Sequence, residues 1–278
     1  MVEIQLLSRA LLAALLGGTI CGIIGVWVVL LNIPFVGVAM SHAAFAGAIT
    51  GLLFGLDPFL TALFFCLLTV VLIGPVAERA DFEPGVALGV IFSLMLGLAF
   101  LGIGLLKGLR TEALRFLWGN ILLASHRDIL ILSAIFFLIF SFLFLFGKEI
   151  RAVLFNRELA RAVGVPERAI FFSMILLIGI AVTGNLNTVG GLLVFSLVVS
   201  PASAAYQLTY RLRTMYLLSV FFALSSCLVG FFLSWVFDLP TGAAIICVAS
   251  LIFSIALLIS PKRRHKISTV ISPPERTR

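Results

Sequence analysis

Between Arg9 and Asp57 the chain runs 47 residues without an acid, a lysine or an arginine, and the ionisable side chain of note in that run is His42. One bilayer crossing takes about 20 apolar residues, so a run of this length reads as two crossings. An imidazole inside such a run is costly unless it faces protein or a water-filled path, which makes His42 the first candidate for function.

The whole chain supports that reading. Of 278 residues 62% are apolar and only 11% charged, with a mean hydropathy of +1.24, a balance that excludes an ordinary soluble domain. The start does not resemble a cleavable signal, because Glu3 and Arg9 nearly cancel and the apolar run continues far past a short signal core. Cys21, Cys66, Cys227 and Cys247 all fall in apolar runs and read as small buried hydrophobes, not as a disulfide framework or a metal motif. The net charge of +7 is then a topology signal, and no nucleic-acid partner is expected.

Charges divide the chain into uncharged windows at 10–56, 58–77, 84–106, 129–147, 169–210, 214–237 and 239–261. Five windows fit one helix each. The first takes two, broken at Asn32-Ile33-Pro34, and 169–210 takes two, broken near Gly184-Asn185-Leu186-Asn187. The expectation is an all-α integral membrane fold of about nine transmembrane helices. With the C-terminus in the cytoplasm, 14 of the 19 basic residues lie inside, among them Lys148, Arg151, Arg157, Arg161, Arg168, Arg211 and Arg213. Residues 262–278, with Pro273-Pro274 and scattered charge, read as a basic, disordered cytoplasmic tail. No Gly-x-x-x-x-Gly-Lys-[Ser/Thr] loop occurs, so any ATP-driven step needs an ATPase on another chain.

Three segments carry more than lipid-facing filler. In the loop 148–168, Asn156 is placed to cap a short helix over Arg157 to Val163, with Glu158 at its positive end and Gly164 and Pro166 stopping it. This is either a solvated connector or a docking helix for a cytoplasmic partner, with Ala160 and Ala162 small enough for a groove to close around it. The outer segment from Leu109 to His126, centred on Phe116, Trp118, Gly119 and Asn120, is either an aromatic anchor or a gate at the pore mouth. Small residues from Val189 to Val194, followed by Pro201, predict a kinked, tightly packed helix. Asn32-Ile33-Pro34-Phe35-Val36-Gly37 also echoes Asn185-Leu186-Asn187-Thr188-Val189-Gly190, placing inverted repeats over the first four and last four spans.

Taken together, these residues resemble the metal-ion (zinc, manganese or iron) family of ABC transporter permeases. An early family signature, roughly Gly-Asp-x-Leu-Ser-His-Ala, aligns with Gly37-Val38-Ala39-Met40-Ser41-His42-Ala43. A cytoplasmic Asp-x-Glu-x-Ala core followed by Gly-x-Pro aligns with Asn156, Glu158, Ala160, Gly164 and Pro166. A late Val-Gly-x-Leu-Leu-Val and Pro-Ala pattern aligns with Val189 to Val194 and Pro201-Ala202.

The resemblance implies a type II ABC importer-like permease domain over 1–261 in a bacterial or archaeal cell (inner) membrane. Its implied partners are a second permease copy in a homodimer, a cytoplasmic ABC ATPase subunit and an extracytoplasmic metal-binding protein. The chain itself would be no enzyme and would hold no tight cofactor, with a divalent metal as substrate and ATP used by the partner. Residues 156–166 would form the ATPase-coupling loop and 110–123 the outer gate. His42 would line the metal pathway as a transient ligand, or else be a histidine hydrogen-bonded inside the bundle. Val38 departs from the pattern, because an aspartate commonly precedes the histidine by four residues, and Trp118-Gly119-Asn120 stands where Phe-Gly-Asp is frequent. The less anionic path leaves a same-fold permease for a metal chelate, or a secondary transporter, as alternatives.

Overall fold

The computed structural model describes residues 2–80, 84–106, 116, 119, 121 and 124–262. Among these the chain is helical, with α1 (Val2–Leu30), α2 (Pro34–Phe54), α3 (Pro58–Ala80), α4 (Pro84–Leu105), α5 (His126–Leu145), α6 (Gly147–Phe155), α7 (Arg157–Ala162), α8 (Glu167–Gly184), α9 (Gly191–Leu208), α10 (Leu212–Phe237) and α11 (Thr241–Leu258). Seven are long and apolar enough to cross a membrane, and Pro58–Ile73 and Val194–Leu208 form shorter apolar stretches of α3 and α9. Among the described residues nine long helices fall in the seven uncharged windows, two of them in each of the two long ones. Residues 263–278 of the proposed tail, and Trp118 and Asn120 of the outer segment, lie outside the described residues.

The break inside the first long window, and the helix ends that follow, have local causes. α1 ends as Asn32 takes a positive φ of 55°, a conformation asparagine tolerates, and Pro34 opens α2 where its missing N–H has no helical partner to lose. α2 ends at Gly55, φ 68°, whose N–H donates to the Gly51 carbonyl. The Asp57 carboxylate then accepts from the Phe59 and Leu60 amides at 2.9 and 3.1 Å and caps α3. Ser125 and Asp128 form a reciprocal capping box at the start of α5.

Packing follows a two-fold scheme. α2 lies along α3 and α4, and α9 lies along α10 and α11. Across the halves α1 meets α9 and α10, α8 meets α2 and α3, and α2 meets α9. Exchanging the first four long helices with the last four reproduces these pairings, and α5 touches the first helix of each set. Because one long helix, α5, separates the sets, the second set starts from the opposite face, as inverted repeats require.

α1 and α2 form the centre, with 72% of each span buried, whereas α5 is 17% buried and faces outward. Glycines make the close approaches possible: a Cβ on Gly22 would lie 2.7 Å from the Val220 Cα of α10, and one on Gly47 would lie 2.6 Å from the Ala62 Cα of α3. The Trp27 indole donates to the Tyr216 hydroxyl at 2.8 Å and the Ser219 hydroxyl to the Gly22 carbonyl at 2.7 Å, tying α1 to α10. Cys21, Cys66 and Cys227 are buried free thiols, as expected. Cys247 is not: it sits on the outward face of α11 that also carries Leu251, Ile255 and Leu258, a face an all-apolar helix does not mark by periodicity.

Gly22→Ala must therefore push α1 and α10 apart. We expect a loss of about 1–3 kcal/mol, read as a lower melting temperature in detergent. Gly89→Ala, with nothing within 4 Å of the added carbon, should leave melting unchanged or slightly raised.

Candidate functional site

α2 is buried on almost every side from Val36 to Gly51, but Phe35, Val38 and His42 fall on one incompletely covered line. Phe92 of α4 stands edge-on to Phe35 at 5.6 Å and to His42 at 4.7 Å between ring centroids. His42 Nδ1 lies 2.9 Å from the Val38 carbonyl oxygen. A carbonyl only accepts, so Nδ1 carries the proton and Nε2 of the neutral ring keeps its lone pair. That is the form in which an imidazole ligates a metal. Val38 thus contributes its carbonyl to orient the ring, while its side chain offers no ligand. Among the described residues no three His, Cys, Asp or Glu side chains gather closely enough to hold a metal ion. Ser41, beside His42, keeps a buried hydroxyl with no hydrogen-bond partner in the structure.

The end of the bundle above His42 is knitted together by polar contacts that the sequence did not single out. Arg127 donates to the Asp57 carboxylate at 2.5 Å, and Asn187 to Asp128 at 3.0 Å, joining the α2–α3 turn, the start of α5 and the α8–α9 turn. Burial acts to raise the Asp57 carboxyl, but the Arg127 guanidinium and the Leu60 and Phe59 amides hold it below its usual value. Of the outer-gate candidates, Phe116 and Gly119 can be placed. Gly119 has φ +64° and sits so close to the Val189–Gly190 peptide that a Cβ there would occupy the space of that peptide. A Cβ on Gly191 would lie 3.4 Å from the Phe116 carbonyl oxygen and 3.5 Å from that of Ser41. The outer segment and the helix turn that carries His42 therefore converge on Gly191.

Asn156, Glu158, Ala160, Gly164 and Pro166 lie together around α7, away from His42. The Asn156 side chain accepts from the Leu159 amide at 3.0 Å as expected, and the helix spans Arg157–Ala162. Gly164 takes φ +84°, and the Val165 amide turns back to the Ala160 carbonyl at 3.0 Å. Ala160 is buried and Glu158 exposed. Phe155, Leu159 and Val163, four residues apart, turn outward with 82%, 53% and 68% exposure. The loop's shape is held by Glu167, a carboxylate 1% exposed that accepts from Arg157 at 3.0 Å and also from Arg161. Arg157 stacks over the Phe171 ring at 3.8 Å. The available sequence signal was an acid opening a span amid three arginines.

Residues 3–260 match the family model described as the ABC 3 transport family. The chain belongs to this family. It is 31% identical to a manganese transport system membrane protein, MntC, of Halalkalibacterium halodurans, over 92% of this chain and 88% of the relative. It is 28% identical to a probable iron transport system membrane protein of Haemophilus influenzae, over 94% and 96%. Among solved structures, PsaBC from Streptococcus pneumoniae in complex with Fab superposes with a TM-score of 0.86 at 28% identity, covering 95% of each chain.

As a metal-ion ABC importer permease, the chain is a multi-pass membrane subunit that works with an ATPase and a binding protein. In this permease the Glu167 cluster has an asymmetric energetics. Glu167→Gln leaves Arg157 and Arg161 free to turn to water and should cost about 1–2 kcal/mol. Arg157→Ala with Arg161→Ala leaves a buried carboxylate with only Arg168, 4.0 Å away, and should cost about 3 kcal/mol. Hydrogen exchange of amides 157–165 in the purified chain checks this order: the double arginine variant should lose more protection than Glu167→Gln.

Proposed function

We propose that the chain forms, with a second copy of itself, the conduit of an importer for a divalent transition metal, with manganese the first cargo to test. The observation that carries this is His42, a lone imidazole with its Nε2 lone pair free on an incompletely covered line of α2. One copy supplies a single such donor, so a transient site needs a second copy across an interface. Manganese and iron, the cargoes named for the relatives, both accept imidazole nitrogen, and a conduit must release what it accepts. The uncovered apolar line of Phe155, Leu159 and Val163 around α7 suits a groove on an ATPase, which would hydrolyse the ATP. The end joined by Asp57–Arg127 and Asn187–Asp128 would face the binding protein. In this reading residues 1–261 are the permease domain in the inner membrane, residues 262–278 a cytoplasmic tail, and no cofactor is held tightly. Alternating access then follows when ATPase closure moves α7 and, through Glu167, α8.

Reconstitution with the ATPase tests this in proteoliposomes loaded with ATP and supplied outside with the binding protein and radiolabelled manganese, iron or zinc. Uptake should require both ATP and the binding protein. His42→Ala should lower it by about tenfold or more while ATP hydrolysis persists. Unchanged uptake would remove the ligand role of His42 and leave the permease reading standing. Uptake seen only when the metal is supplied with a chelator would move the cargo to a chelate.

A further inference from the structure

The α7 end of the bundle carries more positive charge than its carboxylates neutralise. Glu167 takes Arg157 and Arg161, and Arg168 lies 4.0 Å from it. Among the described residues Arg151, Arg211, Arg213 and Lys262 have no carboxylate within ion-pair distance. These four cations line two cavities that share Leu212 as a wall, at the start of α10. One cavity, about 230 Å³, holds Arg151 and Arg213; the other, about 220 Å³, holds Arg211 and Lys262 with Tyr206 and Thr209. Among the described residues no acid lines either.

The second cavity is built, not incidental. The Ser260 hydroxyl, buried, lies 3.0 Å from both the backbone carbonyl and the side-chain oxygen of Gln207, fixing the end of α11 against α9. That places the Lys262 ammonium 3.5 Å from the centroid of Tyr206 and 4.7 Å from that of Tyr210. Desolvation lowers the Lys262 ammonium below its usual pKa, so this charge is drawn partly out of water with no anion facing it. Along the chain from these cations, Leu217 in the second turn of α10, Leu258 in the last turn of α11 and Ile259 just after it are 72%, 74% and 66% exposed, apolar side chains available to acyl chains. Tyrosines beside a basic pocket at helix ends, with exposed apolar side chains within two turns of it along the chain, match the chemistry of a phospholipid: a phosphate for the cations and hydrocarbon for the apolar side chains.

We propose that these adjoining cavities form a binding site for the phosphate headgroup of an anionic glycerophospholipid of the surrounding leaflet, held by Arg211 and Lys262 with Arg151 and Arg213 next to it. The site does not depend on the transported cargo or on which face is cytoplasmic. A docked protein would have to bring carboxylates to this end, whereas a lipid already has both parts the surface calls for.

Native mass spectrometry of the full-length chain, incubated with equal amounts of phosphatidylglycerol and phosphatidylcholine, tests the proposal. Phosphatidylglycerol should be retained in preference. Arg211→Ala with Lys262→Ala should weaken its retention by about thirty-fold, the effect expected of two interfacial cations. Lys148→Ala, which removes an exposed charge from the same end outside both cavities, should leave it unchanged. Arg151→Gln with Arg213→Gln, at the neighbouring cavity, gives a second reading if the first variant fails to fold, and should also weaken retention. Equal retention of the two lipids, an equal loss from Lys148→Ala, or full retention by a folded double variant would each overturn the site. Displacement of the lipid by millimolar inorganic phosphate would make it a free-anion site and overturn the lipid assignment.

Discussion

A peptide group left unpaired in hydrocarbon costs several kcal/mol, and every other feature of this chain is arranged around that cost. The long segments are helices because only a helix satisfies its own backbone without a neighbour. Where the chain must turn, the ends are closed by specific residues: Asn32 with a positive φ before Pro34, Gly55 followed by the Asp57 cap, and the Ser125–Asp128 box. Side-chain polar groups obey the same rule. Thr183 bonds its own helix at the Gly179 carbonyl, and Trp27 finds the Tyr216 hydroxyl. The exceptions, Ser41 Oγ and Asn185 Oδ1, fall beside His42 and at the start of the turn that leads to Gly190. The first of them adjoins the proposed path; the second lies against Gly17 of α1.

Lipid offers no hydrophobic reason for helices to associate, so close contact has to come from shape. Glycines on α1 and α2 supply it where α1 meets α10 and α2 meets α3, and the pseudo-two-fold runs between α2 and α9, which exchange with each other. The arrangement leaves α2 buried over most of Val36 to Gly51, apart from the line of Phe35, Val38 and His42. A histidine on that line is neither wholly in the core nor free in lipid. Its ring is oriented by Val38's carbonyl, so the residue that departs from the family pattern still sets the tautomer.

α8 links the two ends of the molecule. At one end its first residue, Glu167, fixes the α7 loop through Arg157 and Arg161; at the other, Asn187 just beyond it meets Asp128, and Val189 meets Gly119. Breaking the first contact would leave a buried carboxylate short of its guanidinium partners, so Glu167 ties α7 firmly to α8.

Much of this was legible in the chain itself. Spacing of charges marked seven windows for nine spans, and Asn32-Pro34 and Gly184-Asn187 marked the two breaks, since uncompensated charge is costly inside a bilayer and such turn-forming residues end helices. Asn156, Gly164 and Pro166 announced α7 through local backbone chemistry, which needs no knowledge of distant residues. What stayed hidden is long-range: Arg127 meeting Asp57 across 70 positions, Cys247 facing outward, and Lys262 folded over Tyr206. In water an amphipathic pattern would have shown which face of each helix turns inward. In a bilayer the outside is as apolar as the inside, so α11 carries no such record. The sequence determined where the chain crosses, turns and is capped; only the packed bundle decided which faces meet, because that choice rests on shape and on polar partners far apart in the chain.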